Sequence, residues 1–408
     1  MPTFAWETVT GWKTVGDRFS RRLWRLESDA LCAEARHRTG LEYFGEPAVD
    51  PALTVLLNSL ENEADLHLLG RFLIRVHLRD LLTTRLQLAK MWSEHTAAMA
   101  ASRIQRPIFI TGMPRSGSTF LHELLAQDPA NRAPRVWEIM FPVPLKSRSL
   151  RTADPRVRKT EFYLRCFRCL APGADSVYPM RAWTPHECVA IHSYTLLSDE
   201  FLSTCYVPSY EAFLHSVDLT PVYTWQKRFL QYLQLGFPER RWVLKSPSHV
   251  YGLNELLAVF PDALVIRTHR APIDVIKSQL RLTQLLEGLF ARCREFNQLA
   301  KREVRTVAEM SDQMLRFHYE QRLDSERFVD VTYRELITEP LAIVGRIYDR
   351  LGARLMPAVA TQMQRLAANR SRYRRRKLSV TPALDCGAES TRFEAYCSRF
   401  GVPFQRIN

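Results

Sequence analysis

An α/β fold is predicted, a parallel sheet covered by helices and preceded by a helical region. Three observations predict it. Four short apolar runs, 108–110, 242–244, 263–266 and 328–331, are each followed by a helix-like segment. A turn bracketed by Gly112 and Gly117 joins the first run to a segment opening at Ser118-Thr119. Upstream, apolar residues recur at helical spacing: Leu53, Leu56, Leu57 and Leu60 after the helix start Asp50-Pro51, then Leu69, Phe72, Leu73 and Val76.

Composition bounds the function without choosing it. A chain of 408 residues, 46% apolar and 25% charged, can bury a large core. A net charge of +14 favours anionic partners such as nucleotides, acidic substrates, nucleic acid or membrane surfaces. The eight cysteines are scattered, and the Cys166/Cys169 pair lacks the further ligands of a zinc site. The first residues do not read as a secretory signal, and no run of about 18 apolar residues occurs. A reduced, cytoplasmic setting is expected. Phe4, Trp6 and Trp12 beside Arg21, Arg22 and Arg25 keep peripheral membrane contact open.

In order, residues 1–103 read as a helical region and 104–408 as the sheet domain with a basic tail. Helical patterns cover Asp50 onward and Leu68 to about Met91. The strand Ile108–Ile110, its turn and helix follow, then a proline-rich connection from Asp128 to Pro144. Residues 145–240 are irregular, with helical patches near 186–202 and 222–235, and read as the wall of an acceptor pocket. The later runs lead into helices expected at 249–259, 272–285 and 335–351. Arg370, Arg372, Arg374, Arg375, Arg376 and Lys377 make a basic run whose default reading is a solvated face.

Ligands of such sheets bind beyond the carboxyl ends of the strands. That edge holds the turn 111–119, Lys245, the Thr268–Arg270 turn and Tyr333. The segment Gly112-Met-Pro-Arg-Ser-Gly-Ser-Thr119 points backbone N–H groups and a helix N-terminus at one spot, which suits phosphate. It has the glycine spacing of the nucleotide-binding P-loop, but Ser118 stands where the lysine should be. An ATP-using enzyme needs that lysine and a magnesium-holding carboxylate, so the loop is read as holding a phosphate that is not transferred. A second anion site is expected where Arg270 precedes Pro272 and Ser278 lies in the following helix.

With both motifs together, the chain resembles the sulfotransferases that use 3′-phosphoadenosine 5′-phosphosulfate (PAPS). That family carries a Pro-Arg/Lys-Ser-Gly loop ending in two hydroxyl residues, here Pro114–Thr119, for the 5′-phosphosulfate. It also carries an arginine followed eight residues later by serine, here Arg270 and Ser278, for the 3′-phosphate. The likeness spans roughly 105–350 and is greatest to the bacterial branch similar to tyrosylprotein and glycan sulfotransferases, which shares Trp242–Pro247. Ala271 departs from that branch, where aspartate often follows the His-Arg pair.

The resemblance implies sulfuryl transfer from PAPS to a hydroxyl or amine, with no metal required. Arg115, Ser116, Gly117, Ser118, Thr119, Arg270, Ser278 and Tyr333 are then the cofactor-binding residues. Arg115 and Lys245 would stabilise the leaving oxygen. The general base is expected at Glu138, 19 residues past Thr119, where that branch has a glutamate. His249 is the rival base, Glu187 an outside candidate, and His122 and His269 read as structural. The acceptor is expected to be a small molecule, glycan or lipid, given the aromatics Phe162, Tyr163, Phe167, Trp183, Tyr194, Phe201 and Tyr206. Nucleic acid is not expected. The alternatives are an ATP-using P-loop kinase or NTPase, with Asp330 for magnesium, and a non-enzymatic binder of acidic polymers.

Overall fold

The computed structural model describes residues 23–144, 154–173, 175, 179–292, 294–320, 325–369 and 389–404. The aromatic and basic residues at 4–22 and the basic run at 370–377 lie outside the described residues.

The apolar runs become strands because β-branched and aromatic side chains fit a pleated surface buried on both faces. β1 (Ile108–Gly112), β3 (Arg241–Lys245), β4 (Leu264–His269) and β5 (Phe328–Thr332) lie in one parallel sheet with β2 (Asn131–Arg132), in the order β2-β3-β1-β4-β5. All residues of β1 and β4 are buried. Two residues carry no periodicity, so β2 was not foreseen in the Asp128–Pro144 connection.

Register sets the ligand edge. Ile110 pairs with Lys245, Gly112 with Thr268, and His269 with Thr332. The carboxyl ends of four strands are therefore nearly level, and the chain leaves each of them toward the same side.

The sheet's two faces carry different covers. On one, Phe109, Trp242, Leu244 and Val265 share a core with the N-terminal helices Ser28–Thr39, Asp50–Asn62 and Leu68–Glu94. Arg85 ties this layer down. It is fully buried, and its guanidinium donates to the carbonyls of Phe44 (2.8 Å), Gly45 (3.0 Å), Pro47 and Tyr194 (2.7 Å). On the other face, Ile108, Ile110, Val243 and Ile266 pack on the helices Ser118–Leu125, Pro340–Arg350 and Pro357–Ala368. A third cluster joins Met113 of the loop to the helices Pro272–Phe290, Phe296–Glu320 and Ser390–Phe400, which buttress the ligand edge.

Several boundaries differ from expectation for local reasons. Asp50 is the first helical residue and not the cap, which is Val49 and caps with no side-chain hydrogen bond, while Pro51 lies in the first turn as predicted. The segment 335–351 is two helices, Tyr333–Thr338 and Pro340–Arg350. Pro340 has no N–H and pushes Glu339 out of the helical region (φ −133°, ψ 58°), so the chain breaks there. Thr332 and Glu335 form a reciprocal capping box that starts the first of them under the loop. After β3 the chain makes a 3₁₀ turn, Pro247–Gly252, before the helix Leu253–Val259.

Candidate active site

The loop after β1 is shaped by three left-handed residues, Gly112 (φ 127°), Arg115 (φ 66°) and Gly117 (φ 92°). A Cβ on Gly112 would lie 2.2 Å from the carbonyl oxygen of Thr268, so only glycine lets the loop cross the end of β4. Arg115 holds a conformation that costs a non-glycine residue on the order of 1–2 kcal/mol. The buried Ser116 hydroxyl donates to the Met113 carbonyl (2.5 Å) and meets Thr268 Oγ1 at 2.6 Å, while Thr268 Oγ1 donates to the Thr111 carbonyl (3.0 Å). Of the predicted cofactor residues, Ser116 thus spends its side chain on loop shape and has its backbone N–H to offer. The first N–H groups of helix Ser118–Leu125 lack partners within their own helix and face the same place.

The two predicted anion sites are one cluster. Arg115 Nε donates to Ser278 Oγ at 3.1 Å, and Arg270 Nη1 donates to the Arg115 carbonyl at 2.9 Å. The Arg270 guanidinium lies 4.3 Å over the Tyr333 ring, within cation–π range. Tyr333 in turn lines the loop, because a Cβ on Gly117 would come within 3.0 Å of its ring and of Leu336. Arg270 also approaches Asp274 at 3.6 Å, yet its Nε is buried with no hydrogen-bond partner among the described residues. A buried guanidinium donor with nothing to donate to costs free energy until an anion arrives. That orphaned donor, beside a loop of aligned amides, fits a ligand carrying phosphates at two places.

The profile of the sulfotransferase family matches residues 107–357, which include every one of these groups. The chain belongs to that family. It is similar to the omega-hydroxy-beta-dihydromenaquinone-9 sulfotransferase Stf3 of Mycobacterium bovis, 24% identical over 283 residues that cover 67% of this chain and 70% of Stf3. Among solved structures it is similar to sulfotransferase STF1 of Mycobacterium tuberculosis H37Rv, with 31% identity, a TM-score of 0.75, and 92% and 98% of the two chains covered. It is also similar to STF9 of Mycobacterium avium, with 26% identity, a TM-score of 0.82, and 93% and 98% covered. The protein is therefore a sulfotransferase of the PAPS-dependent kind, with the P-loop-like α/β fold of its relatives.

The kinase reading loses its carboxylate in this sulfotransferase. Asp330 accepts from Arg267 Nε (2.7 Å) and Nη2 (2.8 Å), and lies 2.8 Å from His269 Nε2. Burial pushes its pKa up, but His269 and Arg267 outweigh that and hold it well below the usual carboxylate range. His269 is itself sealed, stacked on Phe400 at 4.0 Å and bonded to Tyr396 OH at 2.9 Å. The pair is a strut between β4 and the C-terminal helix.

Lys245, only 2% exposed, ends β3 inside the site. Its Nζ donates to Thr119 Oγ1 (3.3 Å) and to the Glu187 carboxylate. Glu187 is delivered there by the neighbouring amide, since Cys188 N–H donates to the Lys245 carbonyl at 2.8 Å. A cavity of about 160 Å³ opens from this point, walled by Pro114, Glu187, Ser246, Ser248, Tyr206 and Tyr251, among others. Nothing in the sequence joins residue 187 to residue 245; only the folded chain does.

Glu138 is held in the first turn of the helix Val136–Met140. One oxygen accepts from Arg132 Nη2 (2.8 Å) and the other from the Arg135 backbone N–H (3.0 Å), a helix-capping arrangement. Arg132 is sandwiched between Trp242 (4.6 Å) and Phe237 (4.8 Å). It pairs in β2 with Trp242, three residues or roughly 10 Å short of Lys245 along β3. Glu138 lines a different cavity, of about 1290 Å³, whose wall includes Leu235, Phe237 and Arg240 from the chain entering β3.

Neither His249 nor His122 lines either cavity. His249 is fully buried, edge-on to Phe109 (5.2 Å), with Nδ1 3.1 Å from Tyr223 OH. Burial, then the neighbouring His192 and Lys245, hold it neutral, with its pKa well below the ordinary value. His122 donates Nε2 to the Val243 carbonyl (3.0 Å), and burial with Lys245 lowers it to about 3.

Proposed function

We propose that this sulfotransferase passes the sulfuryl group of PAPS to a hydroxyl that enters along the cavity at Glu187, and that Glu187 takes its proton. One contact carries the reading: Glu187 is the carboxylate on Lys245, which touches Thr119 of the loop. Bound PAPS would supply the sulfuryl group and an anionic leaving group. The residues fitted to hold it are the amides of Arg115–Thr119, with Arg115, Arg270, Ser278 and Tyr333.

Lys245 then does two jobs. Its charge, buried beside Thr119, favours negative charge developing on the oxygen that leaves toward the nucleotide. Its ammonium also holds the Glu187 carboxylate in place beside the loop. Glu187 replaces Glu138 in this reading because both Glu138 oxygens are already committed to Arg132 and the helix cap.

The acceptor is taken to be a hydroxylated, lipid-like molecule. Stf3, by its name, acts on an omega-hydroxylated dihydromenaquinone. The cavity at Glu187 admits only the reacting end of such a molecule, past Tyr206, Tyr251 and Leu202. Transfer of labelled sulfate from PAPS into a fractionated lipid extract tests both claims. Glu187→Gln should abolish transfer while adenosine 3′,5′-bisphosphate still binds. Retained transfer in that variant, with loss in Glu138→Gln, would return the base to Glu138.

A further inference from the structure

Only one of the aromatics expected around the acceptor, Tyr206, lines the cavity at Glu187. Tyr194 and Phe201 are buried in the core. Phe162, Tyr163 and Trp183 do something else: they are 63%, 42% and 52% exposed.

Phe162 and Tyr163 sit on the helix Pro155–Leu170, which packs inward through Val157, Thr160 and Leu164. Its outward side carries Arg158, Lys159, Phe162, Tyr163 and Arg165. The helix's one acid, Glu161, is turned in, accepting from the Ala182 N–H at 2.7 Å. Arg158 and Arg165 make no ion pair among the described residues, and Lys159 lies over the Phe141 ring at 4.0 Å. Ring contacts extend the patch: Tyr163 meets Phe141 (5.5 Å), and Trp183 meets Trp137 (5.7 Å) with Arg135 above it (4.8 Å). Exposed apolar rings flanked by these cations cost free energy in water, and the carboxylates nearby, Asp80 by Tyr163 and Asp175 on Arg168, leave Arg158, Lys159 and Arg165 unpaired among the described residues. These rings and cations match a bilayer with anionic headgroups, where rings enter the interface and cations meet phosphates.

We propose that the outward face of helix Pro155–Leu170 docks this sulfotransferase on an anionic phospholipid surface. No helix among the described residues is long and apolar enough to cross a membrane, so contact of this kind is peripheral. The inference stands on exposure and charge, independently of the acceptor proposed above. Three cations near such a surface contribute on the order of 100-fold in binding, and the inserted rings add to it.

The test is flotation of the full chain with vesicles of phosphatidylcholine alone and of phosphatidylcholine with phosphatidylglycerol. The expected result is binding to the anionic vesicles only, reduced at least about tenfold in the Phe162→Ala/Tyr163→Ala double variant. Arg158→Glu/Arg165→Glu is the second variant and should lose binding more completely. Both should keep wild-type affinity for adenosine 3′,5′-bisphosphate, which checks the fold and keeps this test separate from the acceptor's identity. Undiminished vesicle binding in both variants would assign any lipid contact to other residues and overturn the proposal. Absence of wild-type binding would overturn it too. So would a dimer, seen by sedimentation, that the Phe162→Ala/Tyr163→Ala variant abolishes, since the face would then belong to a second copy.

Discussion

Two carboxylates, the buried Glu138 and the partly exposed Glu187, each rest against one cation, and the two cations lead to different places. Glu138 pairs with Arg132, itself wedged between two aromatic rings, and closes the first turn of a short helix. Every one of its partners is architecture. Glu187 pairs with Lys245, which also donates to a hydroxyl of the phosphate loop. A buried acid–base pair is not by itself a functional sign, because desolvation and attraction nearly cancel. What separates the two pairs is what the cation touches next.

Five experiments break or sharpen that contrast. The largest effect is expected from Glu187→Gln, a fall in turnover of roughly 10²–10⁴-fold with bisphosphate affinity kept. Turnover within about tenfold of wild type would erase the distinction. Lys245→Met should lower turnover by about 10²–10³-fold and also destabilise the fold, since it leaves Glu187 without its cation. Measuring kcat and thermal stability together separates the two losses.

Arg270→Ala should weaken bisphosphate binding by roughly 2–5 kcal/mol in a calorimetric titration, because the charge meets a phosphate in a partly buried site. Unchanged affinity would remove Arg270 from the anion site. Glu138→Gln, by contrast, should cost about 1–3 kcal/mol of stability through Arg132 and leave kcat within about tenfold.

The smallest effect is on stability against pH. Burial lowers His122 to about 3 and His192 to about 4, whereas in the unfolded chain both titrate near the ordinary value of 6.5. Below about 6.5 the unfolded state therefore binds more protons, so stability falls as pH drops from there toward 4. A melting temperature that rises on acidification from pH 7 to 5 would contradict this burial. His192, whose shift comes from burial and Gln226 alone, keeps its share of the effect in variants at either glutamate.

Much of the anion site was legible in the chain. Spacing alone singles out Gly112, Gly117, Arg115, Ser278 and Arg270, because phosphate binding needs local geometry, and the fold brings Arg115, Ser278 and Arg270 together. The choice between Glu138 and Glu187 was not so legible. Glu138 has the sequence position that family likeness suggests, yet position along a chain does not say where a carboxylate points. Ser116 taught the same lesson at smaller scale, a motif hydroxyl that faces the loop's own carbonyl.

The sequence by itself determined four of the five strands, the glycine loop and the family, since apolar runs and local turns are written in neighbouring residues. Only the tertiary structure decided that Glu187 meets Lys245, that Asp330 is spent on Arg267 and His269, and that Phe162 and Tyr163 face outward. The reason is one of range. Backbone preference and hydrophobic period act over a few residues, whereas the partner of a buried charge is chosen by packing between segments 58 or 63 residues apart.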